Sequence, residues 1–173
     1  EGEGVGASSR SEMILCLPGD SMEKHIQGML ALMDAKITFI LSYTLIILDG
    51  TELGSEEDRS RWNMQTNFRL NHRCFGVYEF GEKKLHTGEI EEVVVSLNTL
   101  NFESYLETRS FVLTASIFYV DDILHELMDF LECLEIKPSQ LILRIHNEGR
   151  YYSPGLNNLY QSFNDATKNE LWK

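Results

Sequence analysis

The sequence is short of cysteine, of basic residues and of long apolar runs, and each shortage excludes something. Its three cysteines, Cys16, Cys74 and Cys133, lie 58 and 59 residues apart. A set so scattered, and odd in number, makes neither a disulfide framework nor a CxxC-type metal site. The expectation is three reduced thiols, at least two of them buried, since free cysteine behaves as a small apolar side chain. Against 27 Asp+Glu there are only 15 Lys+Arg, a formal charge of −12 over 173 residues. A duplex nucleic-acid binder needs the opposite balance to displace counterions. The longest apolar stretch, Phe39 to Leu48, is interrupted by Ser42, Tyr43 and Thr44. It reaches about half of the ~20 residues that a membrane span requires. No charged, apolar and small-residue leader opens the chain. The expected location is the cytoplasm, with neither membrane nor nucleic acid as a partner.

Local patterns then give the organisation. Residues 1–10 (EGEGVGASSR) carry no periodicity and read as an irregular beginning. Met13 to Leu17 is a continuous apolar run, the pattern of a strand covered on both faces. Pro18-Gly19 stops it, and Asp20 and Ser21 are N-cap residues. Met22, Ile26, Met29, Leu30 and Met33 recur at helical spacing, predicting an amphipathic helix over 21–35. Thr38 to Leu48 returns to β-branched and aromatic residues and predicts a second buried strand ending at Asp49-Gly50. Residues 12–48 thus read as a βαβ unit with a right-handed crossover.

Residues 51–92 read as a long irregular excursion, with a short helix at 55–62 and a hairpin near Gly81. Helices are predicted over Glu89–Leu100, with Ile90, Val93, Val94 and Leu97 on one face, then over 102–119 and over Asp121–Leu134. Another follows Pro138 at 139–147. Gly149 to Gly155 reads as a loop, and a polar helix carries the chain towards Lys173.

The order SEMILCLPGDS, helix, FILSYTLIILDGTEL is more specific than its composition. It resembles the later part of a radical S-adenosylmethionine (SAM) barrel, where a strand ends in an LPGET-like turn and the next ends in PGTEL. Within that family it resembles the cobalamin-binding-domain class. NFRLNHRCFGVYEF, EIEEVVVSLNTLNFESYLETRSF and SIFYVDDIL are similar to the text that follows PGTEL there, so the likeness covers roughly residues 11–146. The resemblance implies an α/β fold: a βαβ portion of an incomplete TIM-like barrel over 11–100, with the excursion inserted, then a mostly helical region over 101–173.

It also implies a SAM-side wall. Strand ends and βα loops carry ligand groups in such barrels, which places Ile14, Leu17, Pro18, Gly19 and Asp20 against the cofactor. Ile14 stands at the middle of the family's GxIxG-like pattern, whose glycines are Glu12 and Cys16 here. Tyr43 and Glu52, on and just beyond the second strand, and Arg69 and Arg73, among aromatics in the excursion, are substrate-side candidates. Arginine beside aromatic rings can hold a carboxylate or phosphate bidentately, or stack.

The family's CxxxCxxC loop, which holds a [4Fe–4S] cluster, is missing, and so is a cobalamin-binding segment. The expected role is therefore a fragment or subunit that is inactive alone and completed by the N-terminal part of the enzyme or a cluster-bearing subunit. SAM, [4Fe–4S] and cobalamin belong to that intact enzyme. A non-catalytic interaction protein is the alternative, and open strand edges predict self-association in isolation. An α/β hydrolase is disfavoured by the lack of a GxSxG elbow.

Other residues carry plainer expectations. His25, His72, His86, His125 and His146 share no HxxxH spacing and are expected to be solvated or hydrogen-bonded. Cys74 is read as a half-buried thiol. Asp121-Asp122 reads as a helix start, and Glu89, Glu91 and Glu92 as a solvated helix face. Tyr151, Tyr152, Tyr160, Phe163 and Trp172 read as a packing surface.

Overall fold

The computed structural model describes residues 9–173. The irregular segment expected over 1–10 therefore falls almost wholly outside the described residues, and Arg10 already opens a strand. β1 (Arg10–Leu15) and β2 (Phe39–Thr44) pair in parallel, from Arg10↔Phe39 to Leu15↔Thr44. α1 (Met22–Asp34) connects them. Ser21 caps it by accepting from the Lys24 amide, and Met29, Leu30 and Met33 pack on Ile40. The strand–helix–strand order is present, but neither strand is covered on both faces as expected, since Ile14 and Tyr43 are 42% and 48% exposed.

The second strand is shorter than expected, because it bends. β2 ends at Thr44 and β3 (Ile46–Ile47) starts two residues on. Leu45 is the joint. Its N–H donates to the Leu15 carbonyl at 2.9 Å, and its own carbonyl accepts from the Val94 N–H at 2.9 Å. One residue thus links the parallel pair to a second, antiparallel sheet of order β3-β5-β4.

That second sheet is the main departure from the expected pattern. β4 (Gln65–Phe80) and β5 (Lys83–Ser96) form one long hairpin through Gly81-Glu82: the hairpin expected near Gly81 is there, but its strands take up most of a stretch expected to be irregular. Gly81 takes φ 59, the conformation a two-residue hairpin turn needs at its first position. The helix expected over Glu89–Leu100 is strand as far as Ser96. Ile90, Val93, Val94 and Leu97 do fit a helical period, yet Val93, Val94 and Val95 are all buried. Three successive buried β-branched residues suit a strand covered on both faces, not a helix with one buried stripe. The expected short helix is α2 (Glu56–Trp62), closed by Asn63 in the left-handed conformation.

Glu91 and Glu92 consequently lie in a sheet and are paired, not solvated. Glu92 accepts both Arg59 Nη atoms, at 2.6 and 2.8 Å, and the Thr66 hydroxyl at 2.5 Å. The Arg59 hydrogen bond holds the Glu92 carboxyl below its ordinary range, and Arg59 is raised in turn. This bidentate pair ties α2 to β5. Arg59→Ala is expected to cost about 2 kcal/mol at pH 7. A carboxylate held low stabilises above its unfolded pKa, and that contribution disappears as pH falls through its folded value. The gap between variant and parent in urea denaturation should therefore close in acid.

α3 (Phe102–Phe118) runs through the whole core. Tyr105 and Leu106 pack with Leu15, Leu45, Ile47 and Val93, while Phe111 and Ala115 pack with Met29, Met33, Ile40 and Ile142. The helix expected over Asp121–Leu134 is interrupted, because Asp121 adopts φ 62. Its continuation is α4 (His125–Cys133), so Asp121 starts no helix. α5 (Pro138–Tyr152) runs through the stretch expected to be a loop, and α6 (Pro154–Asn169) follows at Ser153. Gly149 is a contact residue, not a breaker: a Cβ there would lie 2.8 Å from Leu156 Cδ2. After α6, Trp172 pairs with Phe68 on the outer edge of β4, exchanging both backbone hydrogen bonds. Among the described residues the architecture is mixed α/β with small sheets and no closed barrel. Among the described residues, no helix is long and apolar enough to cross a membrane.

Candidate functional site

Two concave surfaces flank the parallel pair. The first is built where β1 ends. Leu17 accepts from the Asp20 N–H at 2.8 Å, making a tight turn in which Gly19 takes φ 78. The Asp20 carboxylate accepts from the Cys16 and Ser21 amides at 3.3 and 2.9 Å, which holds the turn against the start of α1. Ile14, Leu17, Pro18, Gly19 and Asp20 meet here on one open concavity of about 520 Å³, with Met13, Lys24 and His25 beside them. All five of the expected SAM-side residues are brought together. Ile14 and Leu17 remain 42% and 40% exposed, so the surface has an apolar centre, with the carboxylates of Glu12 and Asp20 and the Lys24 ammonium also in its lining.

Cys16 stands where the resembled pattern has glycine, and its backbone takes φ 70, a conformation glycine adopts without steric cost. Its thiol turns inward, fully buried among Leu15, Leu45, Val93 and Tyr105, and does not line the concavity. Burial, then the nearby charge of Asp20, pushes that thiol up to about 12. All three cysteines are free thiols. The expectation that at least two are buried fails, because Cys74 is half-buried in an exposed hairpin and Cys133 ends a surface helix.

The second cavity, about 290 Å³, lies between β2, β4, α3 and α6. Tyr43 and Arg69, two of the substrate-side candidates, both line it, together with Ser42, His72, Arg109 and Phe163. Arg69 donates to Glu91, and the carboxylate of Glu170 lies 3.5, 3.7 and 3.9 Å from Arg69, His72 and Arg109. Arg109 also donates to the Tyr105 hydroxyl at 3.0 Å and lies over the Phe163 ring. Glu52 and Arg73 are not part of either cavity. Glu52 is exposed in a 3₁₀ turn (Glu52–Gly54), and Arg73 sits at φ 67 in a bulge of the hairpin.

A buried histidine separates the two cavities. His25 Nδ1 is 3.2 Å from Asp20 Oδ2 and Nε2 is 2.8 Å from Ser42 Oγ. Sequence reasoning missed Ser42, His25, Arg109 and Glu170 as site residues. Their only local signal is Asp20 and His25 at either end of one helical turn and a half; the rest requires α3 and α6 to fold back. A second buried histidine, His146, is hydrogen-bonded to Thr114 and Glu107 inside the helical layer, and its bond holds the Glu107 carboxyl low. That network binds α3 to α5 and faces neither cavity.

The three thiols do not fit an iron–sulfur cluster, since they lie apart in a core, a hairpin and a helix end. Among the described residues, no group of three or more His, Cys, Asp or Glu side chains is placed to hold a metal ion. No protein-family model matches the chain, and no curated protein matches it.

Proposed function

We propose that this chain contributes the SAM-side wall, and part of a substrate wall, to a radical SAM centre whose cluster is carried outside the described residues. The observation that carries this reading is the meeting of Ile14, Leu17, Pro18, Gly19 and Asp20 on one concave surface at the carboxyl end of a parallel strand. Ligand groups gather at that end of parallel strands. The outer edge of β1 pairs with no strand among the described residues. Parallel sheets are normally extended and covered on both faces, so further strands along β1 would make the pair part of an incomplete TIM-like barrel. Ile14 and Leu17 offer apolar contact to the adenosyl portion, and Asp20 offers a carboxylate. Bound beside its cluster, SAM would supply reductive cleavage chemistry, or a methyl group passed through cobalamin. On the far side of β2, Tyr43 and Arg69 would face the substrate.

Two measurements test this. A CxxxCxxC motif is expected in frame upstream in the coding region or in an adjacent gene. In the resulting assembly, Leu17→Asp is expected to weaken SAM binding at least ~10-fold, about 1.4 kcal/mol, without changing assembly. Absence of any such motif, or SAM affinity indifferent to Leu17, overturns the reading.

One observation favours the alternative, a non-catalytic interaction protein. The outer part of the β4–β5 hairpin leaves Phe75, Val77, Tyr78, Phe80 and Leu85 exposed. A two-stranded ribbon with apolar side chains on both faces is marginal in water. Self-association is the expected result in isolation, and the double variant Phe75→Asp, Phe80→Asp should return the chain to a monomer by light scattering. A monodisperse monomer before substitution counts against both the self-association and this alternative.

A further inference from the structure

Asp20, His25 and Ser42 come from the β1–α1 turn, from α1 and from β2, and they form one hydrogen-bonded line between the two cavities. His25 is only 2% exposed, so its ring nitrogens meet these partners in place of bulk water. The carboxylate is fixed in turn by the Cys16 and Ser21 amides. A carboxylate on Nδ1 selects the tautomer protonated there, which leaves Nε2 to accept the proton of the Ser42 hydroxyl. Ser42 lines the 290 Å³ cavity that Arg69 and Arg109 also line. Arg109 donates to Tyr105 and approaches Glu170 only to 3.9 Å, which leaves most of its five N–H donors for a ligand. The lack of a GxSxG elbow excludes only a serine on a strand-to-helix turn; this serine lies within a strand.

We propose that Ser42 is a nucleophile activated by His25, with Asp20 as the positioning residue, acting on a small carboxylic ester or thioester that carries an anionic group. The Ser42 Oγ–carbonyl carbon bond forms as the hydroxyl proton passes to His25 Nε2. The bond from that carbon to the leaving oxygen or sulfur then breaks, and His25 returns the proton to the leaving group. Water repeats the sequence on the acyl-serine and releases the acid. Neither SAM nor a cluster takes part, so this inference stands or falls apart from the preceding one.

The test is labelling of the full chain with a fluorophosphonate, read by intact and peptide mass spectrometry. A single adduct on Ser42 is expected, absent in Ser42→Ala. Removing the carboxylate should slow labelling about 100-fold or more, the scale of general-base assistance. Asp20→Asn, checked for fold by circular dichroism, reads this where a His25 variant fails to fold, and Asp20→Glu should recover much of the rate. No adduct, an adduct elsewhere, an unchanged rate in Asp20→Asn, or Asp20→Glu as slow as Asp20→Asn overturns the proposal. Each of those outcomes leaves the three residues as a brace between α1 and β2.

Discussion

Phe111→Ala is expected to destabilise the chain by about 3–5 kcal/mol. Phe111 is fully buried in α3 and joins a cluster to which α1 contributes Met29 and Met33, β2 contributes Ile40 and α5 contributes Ile142. Its ring packs T-shaped with that of His146, the two centroids 5.2 Å apart. Neighbours can relax into a vacated space only if they are free to move, and His146 is not. It is held from both ring nitrogens, by Thr114 at 3.0 Å and Glu107 at 2.9 Å. The space left by the ring should therefore persist, which places the cost in the upper part of the range for aromatic truncation. A typical domain has only about 5–15 kcal/mol of stability, so this substitution takes a large share. Urea denaturation measures it, with Phe75→Ala as the control. Phe75 is 62% exposed on the hairpin, and its removal should stay within about 0.5 kcal/mol. A loss below about 1 kcal/mol at Phe111 would mean that the second core cluster is not packed around it.

The second large effect is alkaline. The Cys16 thiol is pushed to about 12 from an ordinary 9.0, first by burial and then by the charge of Asp20. Between those values the unfolded chain has released the proton and the folded chain has kept it. The unfolded state then binds fewer protons, so stability falls as pH rises. At pH 11 the loss from this one group is about 3 kcal/mol, two pH units at roughly 1.4 kcal/mol each. Cys16→Ala lacks the titrating group, while its tyrosines and lysines match those of the parent. Comparing the pH 8 to pH 11 change in unfolding free energy between the two chains isolates the contribution. Equal changes in both would mean that the thiol meets solvent in the folded chain. The same burial keeps Cys16 unreactive: iodoacetamide should modify Cys133 in the native chain and reach Cys16 only after unfolding.

These predictions rest on features of very different visibility. The βαβ unit was legible over 12–48 because each signal there is local. A continuous apolar run, a Pro-Gly stop, a serine cap and a helical period all act within a few residues, and the five residues of the β1–α1 turn meet because the chain has no room to separate them. α2 was legible for the same reason. The turn near Gly81 was legible too, but the length of the two strands it joins was not, because a strand is defined by its partner. Val93, Val94 and Val95 look alike in a helical stripe and in a strand covered on both faces, and only β4 and α3 on either side decide between them. Gly149 shows the converse, a residue that reads as a breaker yet serves close packing against Leu156.

The sequence by itself determined the acidic balance, the scattered thiols and the strand–turn–helix–strand order of 12–48, all of which follow from composition or short-range patterns, while the residues of the first concave surface were named through a resemblance. Tertiary structure alone decided the second cavity. Ser42 and Tyr43 in β2, Arg69 in β4, Arg109 in α3 and Phe163 in α6 share it only because α3 crosses the sheet and α6 folds back along it. The packing of α1 on β2 places His25 on Ser42. Side chains that far apart in the chain are joined by burial and hydrogen bonding, which have no period for a sequence to display.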